Sequence, residues 1–347
     1  MISASFLIGS SIGDYDLLDC IGEGAFGTVF RGTHIPTGTG VAVKVLRLGA
    51  TLEEVREFEN EAQLLARLTG TTNVVELLDS QTTSVTNPRL LGSAVPFPIQ
   101  FHVMELADRS LDYLLAHRDK IPWTERILHY RNVALGVHQM HLRDIVHRDL
   151  KSSNCLLFSR PRHVVETKVS DLGRARDLTQ ASGAQLSSYS IGRGDPRFAP
   201  PEFLWMQGID QGQAHRCSDL YGLGSLLFEV ATGQGLTGIA LQPRLGIIAA
   251  DLRLPSSRWP VKYRSRIPEI RNWFDVAYQV FAAELPASIR TEAVALVRQL
   301  CDPDPDRRTP YTRAGNSTVP NNDLNWIVRR IDILGKLLTT ISQGRHS

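Results

Sequence analysis

The sequence HRDLKSSN, residues 147–154, places a carboxylate, an ammonium group and an amide at short, fixed intervals. Asp149 can orient a hydroxyl group and accept its proton, and Lys151 can lie beside a phosphoryl group during its transfer. Asn154, together with Asp171 in the string DLG at residues 171–173, offers the oxygen ligands that Mg²⁺ prefers. Taken singly, each residue is typical of a solvated or capping position. The prediction of a catalytic site therefore rests on the ordered set.

A glycine-rich string, GEGAFGTV at residues 22–29, lies upstream and has the pattern GxGxxG at Gly22, Gly24 and Gly27. A dinucleotide-binding fingerprint requires a helix directly after the third glycine. The residues after Gly27 instead predict strand, turn and strand, which excludes that interpretation. A glycine loop between two strands can place its backbone N–H groups over phosphates. An ordinary glycine-rich hairpin is the alternative that this string alone leaves open.

Lysine is rare in this chain: only six of the 38 Lys and Arg residues are lysine, so a lysine indicates a position that needs a compact ammonium group. Lys44 ends the apolar string VAVK at residues 41–44. From a strand that follows the glycine loop it can reach phosphate oxygens as a point charge, provided that a carboxylate holds it. Glu61 in the next helix is one candidate partner, and Glu57, one turn earlier, is the alternative.

Secondary-structure patterns divide the chain near residue 105. Before that point one helix is predicted, Leu52–Leu68 with Thr51 as its N-cap. The predicted strands there are Tyr15–Ile21, Thr28–Arg31, Val41–Leu46, Asn73–Asp79 and Ile99–Leu106, the last two joined by a loop holding Pro88, Pro96 and Pro98. After residue 105 apolar residues recur at helical spacing in Ser110–Ala116, Thr124–Leu142, Asp219–Thr232, Trp273–Ala283 and Thr291–Leu300. A small β-rich lobe followed by a larger helical lobe is predicted.

The composition is that of an ordinary globular protein, with 42% hydrophobic and 21% charged residues among 347. A net charge of +2 gives no general attraction to nucleic acid or to an anionic membrane. No apolar stretch approaches the roughly 20 residues that span a bilayer, and the N-terminus is a poor signal peptide. Four widely spaced cysteines exclude a zinc ribbon or a disulfide framework. We therefore expect a cytoplasmic protein without nucleic-acid or membrane partners, whose oligomeric state the sequence does not indicate.

The ordered set of glycine loop, lysine, HRDLKSSN and DLG resembles the signature of the eukaryotic-type (Hanks-type) Ser/Thr protein kinase family. The resemblance runs from about Asp14 to Arg308. It includes Pro200–Glu202, similar to the family's Ala-Pro-Glu, and Asp219–Gly224, similar to its buried DxWxxG helix. It implies an α+β, bilobal protein-kinase-like fold, with a small β-rich N-lobe that has one main helix and a larger, mainly helical C-lobe. It also implies that Arg308 pairs with Glu202.

The same resemblance implies the roles of individual residues. The implied catalytic residues are Asp149, Lys151 and Lys44, and the implied Mg²⁺ ligands are Asn154 and Asp171. The implied ATP-binding residues are Ile21, Gly22, Gly24, Gly27, Val29, Ala42, Lys44, Glu61, Glu105, Ala107 and Leu156. Met104 is the implied gatekeeper, and Glu105 with Leu106–Ala107 the implied hinge that receives adenine. Lys151 within HRDLKxxN is typical of Ser/Thr kinases, so the implied acceptors are hydroxyl groups of a protein substrate.

Regulation and three departures from the family pattern complete the implied picture. Arg148 is expected to receive a phosphate from the activation segment, with autophosphorylation in Ser182–Ser190. Leu172 replaces the Phe of Asp-Phe-Gly, and Pro200 replaces the Ala of Ala-Pro-Glu. Both changes are expected to leave the activity intact. Asp195 stands where the family carries a Thr that links the catalytic Asp and Lys. An ionised Asp only accepts hydrogen bonds, so it either pairs with Lys151 or turns outward and starts the Asp-Pro turn.

The predicted domains are an N-terminal extension (1–13), an N-lobe (14–105), a C-lobe (106–311) and a tail (312–347). Within the tail, Asp323–Thr340 predicts an amphipathic helix that packs on its own helical lobe, with docking to a partner as the alternative. His138 and His141 have the helical spacing of two metal ligands. No third ligand lies at a matching distance, so packing and capping are expected of them.

Two rival functions are weaker. A catalytically weak pseudokinase or scaffold typically lacks the lysine, the catalytic Asp or the metal-binding Asp, whereas Lys44, Asp149, Asn154 and Asp171 are all present. A small-molecule phosphotransferase of related fold usually has a His-Gly-Asp type of catalytic loop and no Ala-Pro-Glu segment. The sequence thus favours a Ser/Thr protein kinase that uses ATP and Mg²⁺.

Overall fold

The computed structural model of the protein describes residues 4–24, 27–85, 96–160, 164–180, 195–207, 212–314, 317–320 and 323–343. The chain divides into two compact units. The first comprises Met1–Asp108 and Leu156–Ala175, and the second comprises Arg109–Cys155 and Arg176–Ser347. The residues from Leu156 to Ala175 thus belong with the N-terminal part of the chain, although they follow HRDLKSSN in the sequence.

The first unit is built on an antiparallel sheet of six strands, and short strands occur elsewhere. The sheet strands are β1 (Ser11–Ile12), β2 (Tyr15–Glu23), β3 (Gly27–His34), β4 (Thr39–Leu46), β5 (Leu77–Val85) and β6 (Phe97–Glu105), in the spatial order β1-β2-β3-β4-β6-β5. The remaining strands are β7 (Arg109–Ser110), β8 (Ile145–Val146), β9 (Cys155–Arg160), β10 (Val164–Val169), β11 (Arg176–Asp177), β12 (Tyr311–Ala314) and β13 (Ser317–Pro320). Within the first unit, β9 and β10 are hydrogen-bonded neighbours.

Alternation of side chains gives the six-stranded sheet two different faces. One face is an apolar core formed by Phe30, Val41, Val43, Val45, Phe101 and Val103 with their neighbours. Leu7 and Ile12 are buried in the same core, although the sequence analysis assigned residues 1–13 to an extension ahead of the lobe. The opposite face receives the alternate residues of β4, Ala42 and Lys44. The sheet therefore separates its own core from the face that carries the predicted nucleotide-binding side chains.

Helix α1 (Leu52–Arg67) lies on this opposite face and begins at the predicted N-cap, Thr51. Thr51 forms a capping box with Glu54: the Thr51 side chain accepts from the Glu54 N–H, and the Glu54 side chain accepts from the Thr51 N–H. The helix ends before Gly70, which has φ +72°. His102 of β6 lies 2.8 Å from the carbonyl oxygen of Phe58, which fixes α1 against the sheet. The predicted helix and its N-cap are confirmed.

Two predictions about the strands were wrong. The fifth strand is Leu77–Val85 and not Asn73–Asp79. Asn73 has φ 62°, and Val75 donates a backbone hydrogen bond of 2.9 Å to Val169, so this segment pairs with the end of β10 instead of the sheet. Pro98 lies inside β6 and not in a loop. It is tolerated because it lies beyond Phe101, the last β6 residue that pairs with β4.

The second unit is mainly helical. Its helices are α2 (Leu111–Leu115), α3 (Trp123–His141), α4 (Pro201–Leu204), α5 (Gly212–Thr232), α6 (Leu236–Leu241), α7 (Leu245–Leu252), α8 (Trp259–Glu284), α9 (Ala287–Leu300) and α10 (Asn325–Gln343). The sequence predicted α2, α3 and α9 closely but started α5 and α8 too late, and it missed α4, α6 and α7. Helix α8 continues through Pro268, which normally favours a helix end. Burial of Tyr263, Ile270 and Phe274 on one face supports the helix on both sides of that proline.

The tail helix α10 packs on α3 and α9 of its own unit, as predicted. Its apolar face, Leu324, Ile327, Val328, Ile331 and Leu334, is buried. Ion pairs flank this face: Arg330 Nε lies 2.6 Å from Glu292 Oε1, and Arg131 Nε lies 2.6 Å from Asp332 Oδ1. Of the helices in the described part of the chain, none is both long and apolar enough to cross a membrane.

Candidate active site

Lys44 lies between two carboxylates in the first unit. Its Nζ is 2.6 Å from Glu61 Oε2 and 3.2 Å from Asp171 Oδ1. The side chains of Lys44 and Glu61 are 8% and 1% exposed, whereas that of Asp171 is 39% exposed. Burial alone would lower the pKa of Lys44, but the Asp171 and Glu61 carboxylates raise it above its usual value. Lys44 is therefore a fixed positive charge, and Glu61 is the carboxylate that pairs with it, not Glu57.

The backbone positions Asp171 for this contact. Asp171 has φ 59° and ψ 70°, a left-handed conformation that Asp tolerates better than most residues. The short 3-10 helix Leu172–Arg174 follows and packs against α1. Asn60 of α1 donates from Nδ2 to the carbonyl oxygen of Ala175, at 3.1 Å. The helix that supplies Glu61 thus also holds the segment that carries Asp171.

The glycine string joins β2 to β3, which confirms the strand-turn-strand prediction over its described residues; Ala25 and Phe26 lie outside them. A Cβ on Gly27 would be 2.2 Å from the carbonyl oxygen of Val45, so only glycine fits between β3 and β4 there. At Gly22 and Gly24 a Cβ would make only ordinary contacts, at 3.9 Å and 3.7 Å. Gly22 pairs with Val29 across β2 and β3, and the Gly24 N–H donates to the carbonyl oxygen of Gly27 at 2.8 Å, which closes the turn.

The predicted adenine-binding residues all belong to the first unit, the same unit as Lys44 and Asp171. In the sheet register Val29 pairs with Lys44, and Ala42 pairs with Met104. The apolar residues of this set differ in burial. Ala42 is buried, Val29, Ala107 and Leu156 are half-buried, and Ile21 is 43% exposed. The structure therefore brings the nucleotide-binding set together on one compact unit.

The side chain of Glu105 is held in a network of ion pairs. Its Oε1 is 2.6 Å from Lys168 Nζ, and its Oε2 is 3.0 Å from Arg160 NH2. Arg160 also binds Glu166, at 2.9 Å. Lys168, like Lys44, is a buried lysine, which agrees with the idea that lysine in this arginine-rich chain marks sites for a compact ammonium group. The Glu105 side chain is thus engaged, and its backbone N–H donates to the carbonyl oxygen of Glu76 at 3.3 Å.

The residues of HRDLKSSN lie in the second unit and contact one another. Lys151 Nζ donates to Asp149 Oδ2 at 3.0 Å, and Asn154 Nδ2 donates to the carbonyl oxygen of Asp149 at 2.8 Å. The Asp149 N–H points to His147 Nδ1, at 3.2 Å. The side chains of Asp149 and Lys151 are 13% and 22% exposed, so both remain within reach of solvent. Asp149, Lys151 and Asn154 therefore form one cluster, as the sequence predicted.

Asp219 of α5 binds the backbone at the start of the HRDLKSSN segment. Its carboxylate accepts from the backbone N–H groups of His147, at 2.8 Å, and of Arg148, at 2.7 Å. His141 Nε2 lies 2.8 Å from the same carboxylate. Burial would raise the pKa of Asp219, but these partners lower it below its usual value, so the group is ionised. His141 thus packs against Asp219, and His138 lies 3.7 Å from Asp323, not beside a common ligand.

Asp195 adopts neither predicted arrangement completely. It starts the Asp-Pro turn, since the N–H of Phe198 donates to its carbonyl oxygen at 3.0 Å. Its carboxylate, however, is bound by the guanidinium of Arg197, with Nε 2.9 Å from both oxygens. Lys151 pairs with Asp149 instead. Burial alone would raise the pKa of Asp195, but its contacts with Arg197 and the charge of Lys151 outweigh burial, so the pKa is lowered.

The implied pair of Arg308 and Glu202 is confirmed. Arg308 NH1 and NH2 lie 2.6 Å and 2.7 Å from the two oxygens of Glu202. NH1 also donates to the carbonyl oxygen of Cys217, at 3.1 Å. The pair fastens α4, which follows the activation segment, to the C-terminal side of α9. The predicted phosphorylation segment Ser182–Ser190 lies outside the described residues.

The donor set fits the group that the family implies. Mg²⁺ prefers oxygen ligands and keeps several waters or phosphate oxygens, so one carboxylate and one amide oxygen suffice from the protein. Asp171 in the first unit supplies a partly exposed carboxylate, and Asn154 in the second unit is an amide residue whose nitrogen donates to the Asp149 carbonyl oxygen. Within the described residues, no group of three or more His, Cys, Asp and Glu is placed to hold a metal ion.

Some residues that shape the site escaped sequence analysis. Glu229 of α5 binds Ser152 through both the backbone N–H, at 3.0 Å, and the hydroxyl, at 2.5 Å, and so holds the middle of HRDLKSSN. Arg197 as partner of Asp195 was also missed. The signal for Arg197 was present: Asp-Pro-Arg places the two charges on either side of a turn. Glu229 lies in the apolar second half of α5, and a carboxylate there is the corresponding signal.

Comparisons with known proteins agree with this site. A family model described as "Protein kinase domain" matches residues 15–318. The chain is 33% identical over 222 residues to Cysteine-rich receptor-like protein kinase 14 of Arabidopsis thaliana. The aligned residues cover 62% of this chain and 29% of that protein. It is 31% identical over 255 residues to Serine/threonine-protein kinase Pkn1 of Myxococcus xanthus, covering 72% of this chain and 33% of that protein. The chain thus spans a third or less of the length of these relatives. With a match over most of its residues, the chain belongs to the protein kinase family and has the protein kinase fold.

Proposed function

We propose that this chain is a Ser/Thr protein kinase domain that transfers the γ-phosphoryl group of ATP, bound with Mg²⁺, to hydroxyl groups of protein substrates. The contact of Lys44 with Glu61 and Asp171 carries the proposal. A buried ammonium group held by one carboxylate, and next to a second carboxylate suited to Mg²⁺, is an arrangement for binding phosphates. The name of one relative, Serine/threonine-protein kinase Pkn1, supports the choice of acceptor.

On the nucleotide side, the chain's residues bind and orient. The N–H groups of the glycine string cover the phosphates, and Lys44 holds their oxygens as a point charge. Asp171 and Asn154 are the residues that would hold Mg²⁺, which when bound neutralises charge on the phosphates. The backbone of Glu105 and Ala107 receives adenine, and Ala42, Val29, Ile21 and Leu156 provide apolar surface for it.

On the acceptor side, Asp149 orients the substrate hydroxyl and accepts its proton at a carboxylate oxygen. Lys151 lies 3.0 Å from that carboxylate and offers its charge to the phosphoryl group in transfer. Because Asn154 donates to the Asp149 carbonyl oxygen and Glu229 holds Ser152, the loop is fixed before substrate arrives. Such preorganisation favours an active enzyme over a scaffold.

Regulation by the activation segment belongs to the same proposal. In the second unit, His215 Nε2 lies 3.4 Å from Arg176 NH1. Burial is the main cause that lowers the pKa of His215 to about 3, and the charges of Arg148 and Arg176 act in the same direction. A phosphate within Ser182–Ser190 would bring about −1.5 to −2 charges to these arginines and order the segment.

We propose a cytoplasmic location for the protein, since its four cysteines are free.

The test of the function is an assay with MgATP in which a generic protein substrate is offered in one arm, and free sugars and aminoglycosides in another. Phosphoserine and phosphothreonine in the protein arm are expected. Transfer to the small molecules alone would overturn the proposal. Calorimetric measurement of ATP affinity distinguishes an active kinase from a scaffold. Asp171→Ala is expected to abolish Mg²⁺-dependent ATP binding, and unchanged affinity would contradict the assignment of Asp171.

A further inference from the structure

A cavity of about 940 Å³ in the second unit is lined by Lys151, Asp195 and Arg197, together with Glu229 and Asp112. It brings two cations and three carboxylates to one place. Glu229 is already engaged by Ser152, at 3.0 Å and 2.5 Å. The two cations of the cavity each contact a carboxylate: Lys151 contacts Asp149, and Arg197 contacts Asp195.

Two carboxylates are available to the single ammonium group of Lys151. Asp149 Oδ2 is 3.0 Å from Lys151 Nζ. Asp195 lines the same cavity as Lys151, and the charge of Lys151 contributes to lowering the pKa of Asp195. A flexible four-carbon side chain such as that of Lys151 can move between two such partners. If it paired with Asp195, it would leave the carboxylate that accepts the substrate proton.

Arg197 binds both oxygens of the Asp195 carboxylate. Its Nε lies 2.9 Å from both carboxylate oxygens, its NH2 2.5 Å from Oδ2, and its backbone N–H donates to Oδ1 at 3.0 Å. A guanidinium that binds both oxygens of a carboxylate is the strongest form of this contact. The Asp195 side chain is 21% exposed and that of Arg197 64%, so Arg197 covers Asp195 from the solvent side.

The start of α6 fixes the backbone of Arg197. The N–H of Gly238 donates to the carbonyl oxygen of Arg197 at 3.0 Å. A Cβ on Gly235 would lie 2.3 Å from the same oxygen, and one on Gly238 would lie 3.2 Å from the Arg197 Cβ. Two glycines therefore let α6 approach Arg197 closely. The guanidinium also lies over the ring of Phe198, at 5.6 Å from its centre.

We propose that Arg197 is a positioning residue for phosphoryl transfer: by binding Asp195 it leaves Lys151 on Asp149. The chain has a carboxylate at position 195 where the family pattern has a threonine, and Arg197 is what makes that carboxylate compatible with the catalytic loop. This inference rests on the proposed function for its kinetic consequence, but not for the contact it describes.

The kinetic test compares Arg197→Gln with the double variant Asp195→Asn/Arg197→Gln. Arg197→Gln releases Asp195 to compete for Lys151, and we expect kcat to fall about tenfold, within the range of coupling between contacting residues, with KM for ATP unchanged. The double variant removes the competing charge and is expected to return kcat to about the wild-type value. Arg298→Gln is the control, because Arg298 forms an exposed pair with Asp275 at 2.7 Å. Wild-type kcat in Arg197→Gln, or a double variant as slow as the single one, would overturn the inference.

A second readout does not depend on activity. With only six lysines, ¹³Cε-labelled lysine gives few NMR signals, and that of Lys151 is identified by its loss in Lys151→Arg. We expect the Lys151 signal to move in Arg197→Gln and to return in the double variant. A signal that stays in place in Arg197→Gln would refute the inference even if the kinase is active. If the wild type transfers no phosphoryl group to protein, the proposed function fails, and this signal alone decides the role of Arg197.

Discussion

Arg308 and Glu202 form a two-pronged ion pair with N–O distances of 2.6 Å and 2.7 Å, and their side chains are 0% and 4% exposed. Each partner balances a charge that water does not reach. The pair therefore joins α4 to the segment that follows α9, and removal of one partner leaves the charge of the other buried without compensation.

Arg308→Met is expected to lower the free energy of unfolding by about 3–5 kcal/mol, the usual cost of removing one partner of a buried ion pair. Urea unfolding followed by tryptophan fluorescence measures it. Arg298→Met is the matched control, because the Arg298–Asp275 pair is about half exposed and should be worth about 1 kcal/mol or less. Similar losses in both variants would show that burial of the Arg308 pair does not matter.

Lys44→Arg is expected to reduce phosphoryl transfer about 100-fold, although the charge is kept. The Lys44 site is enclosed by Glu61 at 2.6 Å and Asp171 at 3.2 Å, and the larger planar guanidinium does not fit between them. Glu61→Gln is expected to cause a similar loss and Glu57→Gln, one turn earlier on α1, almost none. Initial rates with a protein substrate provide the measurement, and equal rates in the two glutamine variants would contradict the pairing.

Asp149→Ala is expected to lower turnover by about 10²–10⁴-fold, the range for loss of a general base, with ATP affinity retained. Retention follows because the nucleotide-binding residues belong to the other unit. Single-turnover rates and calorimetric ATP binding are to be measured on the same preparation. A variant that phosphorylates at the wild-type rate would disprove the role of Asp149.

His102 makes the first unit sensitive to acid. Burial outweighs its contact with the Phe58 carbonyl oxygen and lowers the pKa of His102 from 6.5 to about 4. The folded protein therefore binds this proton less readily than the unfolded chain, so the stability that neutral His102 provides is complete above about pH 6.5 and is lost as the pH falls toward 4. From pH 7 to pH 5 we expect the wild type to lose about 2 kcal/mol more than His102→Gln in urea unfolding. Parallel pH dependence of the two proteins would argue against it.

Ile331→Ala in α10 is expected to cost about 2–5 kcal/mol of unfolding free energy, because Ile331 is fully buried against the rest of the second unit. Ile333, two residues later on the same helix, is 45% exposed, and Ile333→Ala should change stability by less than about 1 kcal/mol. Thermal unfolding of both variants makes the comparison. If Ile331→Ala is no more damaging than Ile333→Ala, the helix is not part of the folded core.

The sequence predicted best where chemistry fixes the order of residues along the chain. The contact of Lys44 with Glu61 and that of Lys151 with Asp149 agree with what the ordered motifs predicted. Thr51 was predicted as the N-cap of α1 from its position before the helix, and the structure adds Glu54, three residues later, as its capping-box partner. Local signals of this kind do not depend on what packs against them.

Predictions failed where distant residues decide. The segment from Asn73 pairs with Val169, and nothing in its own sequence indicates that partner. Helix α8 continues through Pro268 because buried residues on both sides hold it, which outweighs the local preference for a break. Arg197 was missed for a different reason: an exposed arginine in a turn has many equivalent uses, and only the position of Asp195 selects one.

The burial of Leu7 has a mechanical consequence. Leu7 is 0% exposed, and backbone hydrogen bonds tie Gly9 and Ser10 to Leu17 of β2, at 2.8 Å and 2.9 Å. Tension applied at the first described residues is thus transmitted to β2 with no slack chain between them. Strand β2 runs directly into the glycine string at Gly22. A pull at the first described residues would therefore reach the start of the glycine string through β2.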